Sequence, residues 1–227
     1  MTWSVVVAAV QFAAGALACW AAGWMHARAD VPGGRPFVVT QVAIAWWAFT
    51  AGIEVIIGPS PDAILVAKVQ YLAIAALPVY WIHFAAIYAR RPIARSRWLL
   101  LTAVVPICTV GMAFTNEWHH WLWADIRTSD NPLALTYVFV RGPWFWVNWV
   151  HTYVLLLTST WWLVKALARY HAAYSAQTLV FLIGLLIPWL ANLLSVSGLI
   201  AEGLDLTPAA FAATGGCFAV GLLWYRR

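Results

Sequence analysis

The chain has 227 residues, of which 64% are hydrophobic and only 9% charged, with 13 basic and 8 acidic side chains and a net charge of +5. A soluble domain carries about 25% charged residues. This composition therefore excludes a water-soluble enzyme, a disordered tail and a nucleic-acid-binding domain, and the basic excess reads as the loops of a membrane protein.

Spanning helices need about 20 predominantly apolar residues. Seven stretches qualify: Thr2 to Met25, Phe37 to Ile57, Ala63 to Ala89, Trp98 to Phe114, Trp144 to Val164, Ala176 to Leu199, and Thr207 to Trp224. Of the charged residues, only Glu54 and Lys68 fall inside them. The first stretch has no basic residue before it and is too long for a signal peptide, so it is expected to be a retained helix. Cys19, Cys108 and Cys217 all lie in apolar runs with no CxxC spacing, which indicates neither a disulfide framework nor a zinc site.

Orientation follows from the loops. Arg28, Arg35, Arg90, Arg91, Arg95, Arg97, Lys165, Arg169, Arg226 and Arg227 fall on one side, against Arg127, Arg141 and the nearby Lys68 on the other. The positive-inside rule places the first group in the cytoplasm, the N-terminus outside and the C-terminus inside. The expected fold is an all-α seven-helix bundle forming one domain over residues 1–227. In a bacterium it would sit in the inner membrane as a multi-pass protein.

The long connection, 115–143, lies on the outer side. Its second half, Leu133 to Gly142, is rich in strand-favouring Thr, Tyr, Val and Phe, and Ser129, Asp130, Asn131 and Pro132 form a turn signal. A short extracellular β-hairpin between the fourth and fifth spans is expected. Trp118, Trp121 and Trp123 suit the water interface, where indole keeps its N–H wet and its ring buried. A lid over a pocket is the alternative reading of the same loop. His119 and His120 are adjacent, so on a helix their side chains diverge by about 100°. They fit no standard ligand spacing, and no metal or other cofactor is expected.

Polar residues inside spans are costly and often functional. From a rise of about 1.5 Å per residue, Gln11, Thr50, Tyr71, His151, Asn192 and Thr214 all fall roughly 10–12 Å below the outer helix ends. Asn148 and His151 share a helix face. Two readings fit this layer: interhelical hydrogen bonding, or a ligand pocket opening outward. Glu54 and Lys68 flank the short outer turn and are expected to pair or to line a wet vestibule. The candidate ligand site is Trp47, Thr50, Glu54, Lys68, Tyr71, Asn148, His151 and Asn192. Replacing His151 by Ala is then expected to weaken a ligand response without loss of expression. Aromatic abundance suggests a planar or apolar ligand.

Several blocks, in order, resemble a known family. YLAIAALPVYW (Tyr71 to Trp81) looks like its third helix, and TNEWHHWLW (Thr115 to Trp123) like its outer motif, with Asn116 and His119 at matching positions. RGPWFW (Arg141 to Trp146) opens the fifth helix, and IPWLANLL (Ile187 to Leu194) and DLTP (Asp205 to Pro208) resemble the sixth helix and the entry to the seventh. The chain is similar to the N-terminal seven-transmembrane sensor domain of bacterial histidine kinases, which also precedes diguanylate cyclases. The resemblance implies a receptor input unit that reads a small molecule and signals through the seventh helix, with Asn116, His119, Trp121, Arg141 and Trp144 in the external lid. It also implies a homodimer formed through an output module. No phosphoacceptor, ATP-binding or cyclase motif occurs in these 227 residues, so that module is expected outside them and no enzymatic activity is expected within. The alternative reading is a small-solute transporter or channel, although seven spans do not divide into matching halves. A retinal protein is excluded because the seventh span lacks a Schiff-base lysine.

Overall fold

The computed structural model describes residues 3–27, 33–129, 131, 134–168, 183–184, 186–191, 193–194, 197 and 205–224. Its helices are α1 (Trp3–His26), α2 (Gly34–Ile57), α3 (Pro61–Tyr88), α4 (Val104–Phe114), the single turn α5 (Asn116–His119), α6 (Pro143–Ala168) and α7 (Thr207–Trp224). Strands β1 (Trp123–Arg127) and β2 (Val138–Arg141) pair antiparallel between α5 and α6. Among the described residues, four segments are long and apolar enough to cross a membrane: Trp3–His26, Gly34–Ile57, Pro61–Tyr88 and Arg97–Phe114. The chain is thus mostly helical, with several helices of membrane-spanning character. Most of the stretch expected as the sixth span, including Asn192, lies outside the described residues; helical residues 183–184 and 186–191 belong to it.

The first two helices show how this sequence packs without charge. On α1 the buried residues Val7, Gln11, Ala14, Ala18, Ala21 and Met25 recur at intervals of three and four and form one small-residue face. Small residues let helix backbones approach closely where lipid offers no hydrophobic drive between helices. Two rings exploit this reciprocally. A Cβ at Gly15 would sit 2.6 Å from the Phe49 ring, and one at Gly52 would sit 3.1 Å from the Phe12 ring. Each phenylalanine thus fills the space left by a glycine on the opposing helix. Gly33 begins α2 at φ 85° and Gly58 follows it at φ 67°, backbone states that glycine adopts without strain.

The end of the bundle where α1 stops and α2 starts is an aromatic cluster. Phe37, Trp81, Phe84 and Phe218 are buried together. Trp81 and Phe84 each meet Phe218 edge to face, with centroids 5.4 and 5.8 Å apart, which ties α3 to α7.

The fourth expected span departs from a single α-helix. Arg97–Ala103 is 3₁₀ and α-helix begins only at Val104. Pro106 explains part of this. It has no N–H to bond the Thr102 carbonyl, as a continuous α-helix would require, and it disfavours helical geometry at the residue before it.

Candidate functional site

A cavity of about 100 Å³ lies between α2, α3, α6, α7 and the described part of the sixth stretch. From α2 comes Trp47, and from α3 come Tyr71, Ile74, Leu77 and Pro78. Helix α6 contributes the most: Phe145, Trp149 and Tyr153 form one row at four-residue spacing, and Asn148, Thr152 and Leu156 form a second row beside it. Pro188 and Trp189 close one side, and Thr207 and Phe211 of α7 close another. Among these wall residues none is charged.

The wall is an aromatic lattice. Trp149 lies against Tyr153 with centroids 4.2 Å apart, and Tyr153 meets Trp189 edge to face at 5.0 Å. Across the cavity Trp47 packs on Phe211 at 6.2 Å, joining α2 to α7. The indole nitrogens of Trp47 and Trp149 are both buried and, among the described residues, neither has a hydrogen-bond partner.

The loop between α4 and α6 is fastened directly onto this wall. Tyr71 meets Trp123 of β1 edge to face at 5.5 Å, and Trp123 packs on Phe139 of β2 at 4.8 Å. Trp144 Nε1 donates to Thr109 Oγ1 at 3.0 Å, and Thr109 Oγ1 lies 3.1 Å from its acceptor, Asn148 Oδ1. This Trp144–Thr109–Asn148 chain links the start of α6, helix α4 and the cavity wall. Arg141 lies over the Phe145 and Trp146 rings at 5.4 and 5.8 Å, a cation–π arrangement at the loop's edge.

Asn116 organises the loop itself. Its Oδ1 accepts from the backbone N–H groups of Leu122 (3.1 Å) and Trp123 (2.9 Å), and its Nδ2 donates to the Trp123 carbonyl at 2.9 Å. His119 Nδ1 accepts from the Trp121 N–H at 2.9 Å, so the ring hydrogen belongs on Nε2, 3.0 Å from Thr115 Oγ1. Both histidine nitrogens are thereby engaged, which leaves His119 with no free donor for a metal. The Trp121 carbonyl accepts from the Trp144 N–H at 2.8 Å and closes the loop on α6. The three loop tryptophans, expected together at the water interface, separate: Trp118 is 86% exposed, whereas Trp123 is 3% exposed in the packed core.

The expected site residues therefore divide. Trp47, Tyr71 and Asn148 are brought together on the cavity wall. Thr50 bonds back to the Trp46 and Trp47 carbonyls of its own helix, the local alternative open to any helical hydroxyl. His151 is not among the wall residues. Glu54 and Lys68 do not pair with each other. Gln70 Nε2 donates to Glu54 Oε2, joining α2 to α3, and the Lys68 ammonium pairs with Glu117 of the outer loop. Gln11 and Thr214 are also tied elsewhere, to the Asp205 carbonyl (2.6 Å) and the Gly184 carbonyl (2.7 Å). Within the expected polar layer, Gln11 and Thr214 thus tie separate elements together, whereas Thr50 bonds within its own helix.

The Lys68–Glu117 pair makes the loop's attachment sensitive to pH. The hydrogen bond from Lys68 holds the Glu117 carboxyl below its ordinary value. A depressed carboxylate stabilises the folded loop above its unfolded pKa and loses that contribution as pH falls through the folded value. Amide exchange in 116–127, followed from about pH 7 to about pH 3, is expected to accelerate at the acid end. Glu117→Gln is expected to flatten that dependence. Raised salt should weaken the pair even at neutral pH, because Glu117 is largely exposed.

Sequence reasoning missed the aromatic half of the wall. The signal was present as the paired four-residue rows on α6, but Trp and Tyr near a span end equally suit the interfacial belt. Comparison with known proteins gives one match. The sequence pattern of the N-terminal 7TM region of histidine kinases fits residues 5–227. No curated protein and no solved structure matches the chain significantly. That region is a membrane-embedded sensor input rather than a catalytic domain. By a match spanning nearly all of its length, the chain belongs to the family of N-terminal seven-transmembrane regions of histidine kinases.

Proposed function

We propose that the chain detects a small molecule in the α2–α3–α6–α7 cavity and passes the signal through α7 to a cytoplasmic output module, a histidine kinase or a cyclase, within a homodimer. The observation that carries this reading is the presence of Thr207 and Phe211, from the outer turns of α7, on the cavity wall. At about 100 Å³ the cavity is smaller than the engineered cavity of about 150 Å³ that admits benzene. A ligand of one ring therefore enters only if the wall gives. A wall residue on α7 converts that displacement into motion of the helix that leads inward. A ligand shifts such an equilibrium only by its differential affinity for the two arrangements, and a coupling of about 1–3 kcal/mol is the usual scale.

The test is a full-length receptor containing this chain, reconstituted in nanodiscs, with autophosphorylation or cyclase output measured against a solute panel. A solute that changes output in the parent and not in Phe211→Ala supports the reading. Accumulation of a solute inside liposomes carrying the chain, without any change in output, overturns it in favour of transport. Orientation is tested separately in a variant lacking the native cysteines. Ser129→Cys is expected to react with an impermeant maleimide in intact cells, and Arg95→Cys only after permeabilisation. The reverse pattern would invert the proposed topology.

A further inference from the structure

We infer that the cavity selects a neutral, planar molecule of about one ring that carries a hydrogen-bond acceptor such as a ketone oxygen. The inference rests on the sensing role of the cavity proposed above, and it names the ligand's chemistry. Charge is excluded first. The charged residues expected at the site are committed elsewhere, Glu54 to Gln70 and Lys68 to Glu117. Among the described wall residues none can neutralise an ion, and an unpaired charge taken into such surroundings is strongly disfavoured.

Planarity follows from the wall. Trp47, Phe211, Trp149, Tyr153 and Trp189 present ring faces and edges, and a flat guest offers them offset or edge-on contact. The acceptor follows from the two indoles. Trp47 is 94% buried, since only 6% of its surface is exposed, and its N–H and that of Trp149 have no partner among the described residues. A buried donor without an acceptor carries its full desolvation penalty. Both belong to wall residues and both nitrogens are closed off from solvent, so an acceptor meets them only as the wall gives to admit the guest, and it then removes a penalty already present. A donor-only guest gains nothing from them.

Three probes of similar size separate the terms: acetophenone (neutral, with acceptor), ethylbenzene (neutral, without) and benzoate (anionic). Binding is measured by quenching of tryptophan fluorescence in nanodiscs, with empty nanodiscs subtracted for partitioning. Acetophenone is expected to bind about tenfold more tightly than ethylbenzene, the scale of one net hydrogen bond, and benzoate not detectably. In Trp47→Phe/Trp149→Phe, which keeps six-membered rings and removes both N–H groups, acetophenone is expected to fall to the ethylbenzene level. Thermal shift serves as the readout for this variant, and retained ethylbenzene binding reports an intact cavity. Benzoate binding as tightly as acetophenone, equal binding of the two neutral probes, no binding of either, or an unchanged acetophenone preference in the variant would each overturn the inference. Should the variant lose ethylbenzene too, the single replacement Trp47→Phe decides on the same criterion. Acetophenone binding that leaves kinase or cyclase output unchanged defeats the sensing role and keeps the ligand assignment. Output driven by an anionic solute, with no neutral probe bound, does the opposite.

Discussion

Asn116→Ala is expected to be among the most damaging single replacements in this protein, lowering stability by about 3 kcal/mol or more. The side chain is buried and makes three hydrogen bonds to the backbone of Leu122 and Trp123. Truncation leaves two N–H groups and one carbonyl unpaired, each at about 1–3 kcal/mol when buried, with less than full additivity. The loss spreads further because Trp123 sits between Tyr71 and Phe139, so release of the loop also uncovers one side of the cavity. Asn116→Asp keeps the acceptor for both N–H groups and loses only the donor to the Trp123 carbonyl. It should fall between parent and Ala in thermal unfolding of the purified protein. Equal stability of the three proteins would show that the loop is not held through this side chain.

A second large effect is expected at Gly142. It connects β2 to α6, and a Cβ there would collide with the Trp121 carbonyl and with the His120 oxygen. These are backbone atoms, so no rotamer change relieves the clash. The Gly142 N–H also bonds the Leu122 carbonyl at 2.9 Å, which fixes the approach. Gly142→Ala is expected to cost about 3 kcal/mol, at the upper end for overpacking, and to raise amide exchange across β1 and β2. Gly111→Ala is the comparison, because a Cβ there meets nothing within 4 Å. A helical Gly-to-Ala change at such an open site should be neutral or mildly stabilising. Similar unfolding temperatures for Gly142→Ala and the parent would contradict the close approach.

Different parts of this molecule were legible in the sequence to different degrees, for physical reasons. The described helices overlap apolar runs bounded by glycine, proline and arginine, because a backbone in lipid has few options besides the helix. The site was harder to read. Depth along a helix can be counted from the rise per residue, but direction around it depends on packing against neighbours. Thr50 and His151 were therefore placed at a plausible depth and lie off the cavity wall. Glu54 and Lys68 are close in sequence and opposite in charge, but each finds another partner: Gln70 on the facing helix and Glu117 on the loop. Tyr71 and Asn148 were found because a polar atom singled them out, and Trp47 because it shares a helix face with Thr50 and Glu54. Trp149 and Tyr153 carry polar atoms as well, but their place near a span end hid them among interfacial aromatics. Gly142 could not be read as essential from sequence at all, since its role depends on the path of a loop some twenty residues upstream.

The uncharged wall has a consequence for how the receptor experiences a living membrane. Each elementary charge carried across the full membrane field contributes about 2.3 kcal/mol per 100 mV. A neutral guest entering a cavity whose described wall bears no ionised group moves no such charge. On the ligand chemistry proposed above, occupancy is expected to be the same whether or not the cell is energised. Such a device reports chemistry without confusing it with voltage, a separation that a charged binding site at the same depth could not make.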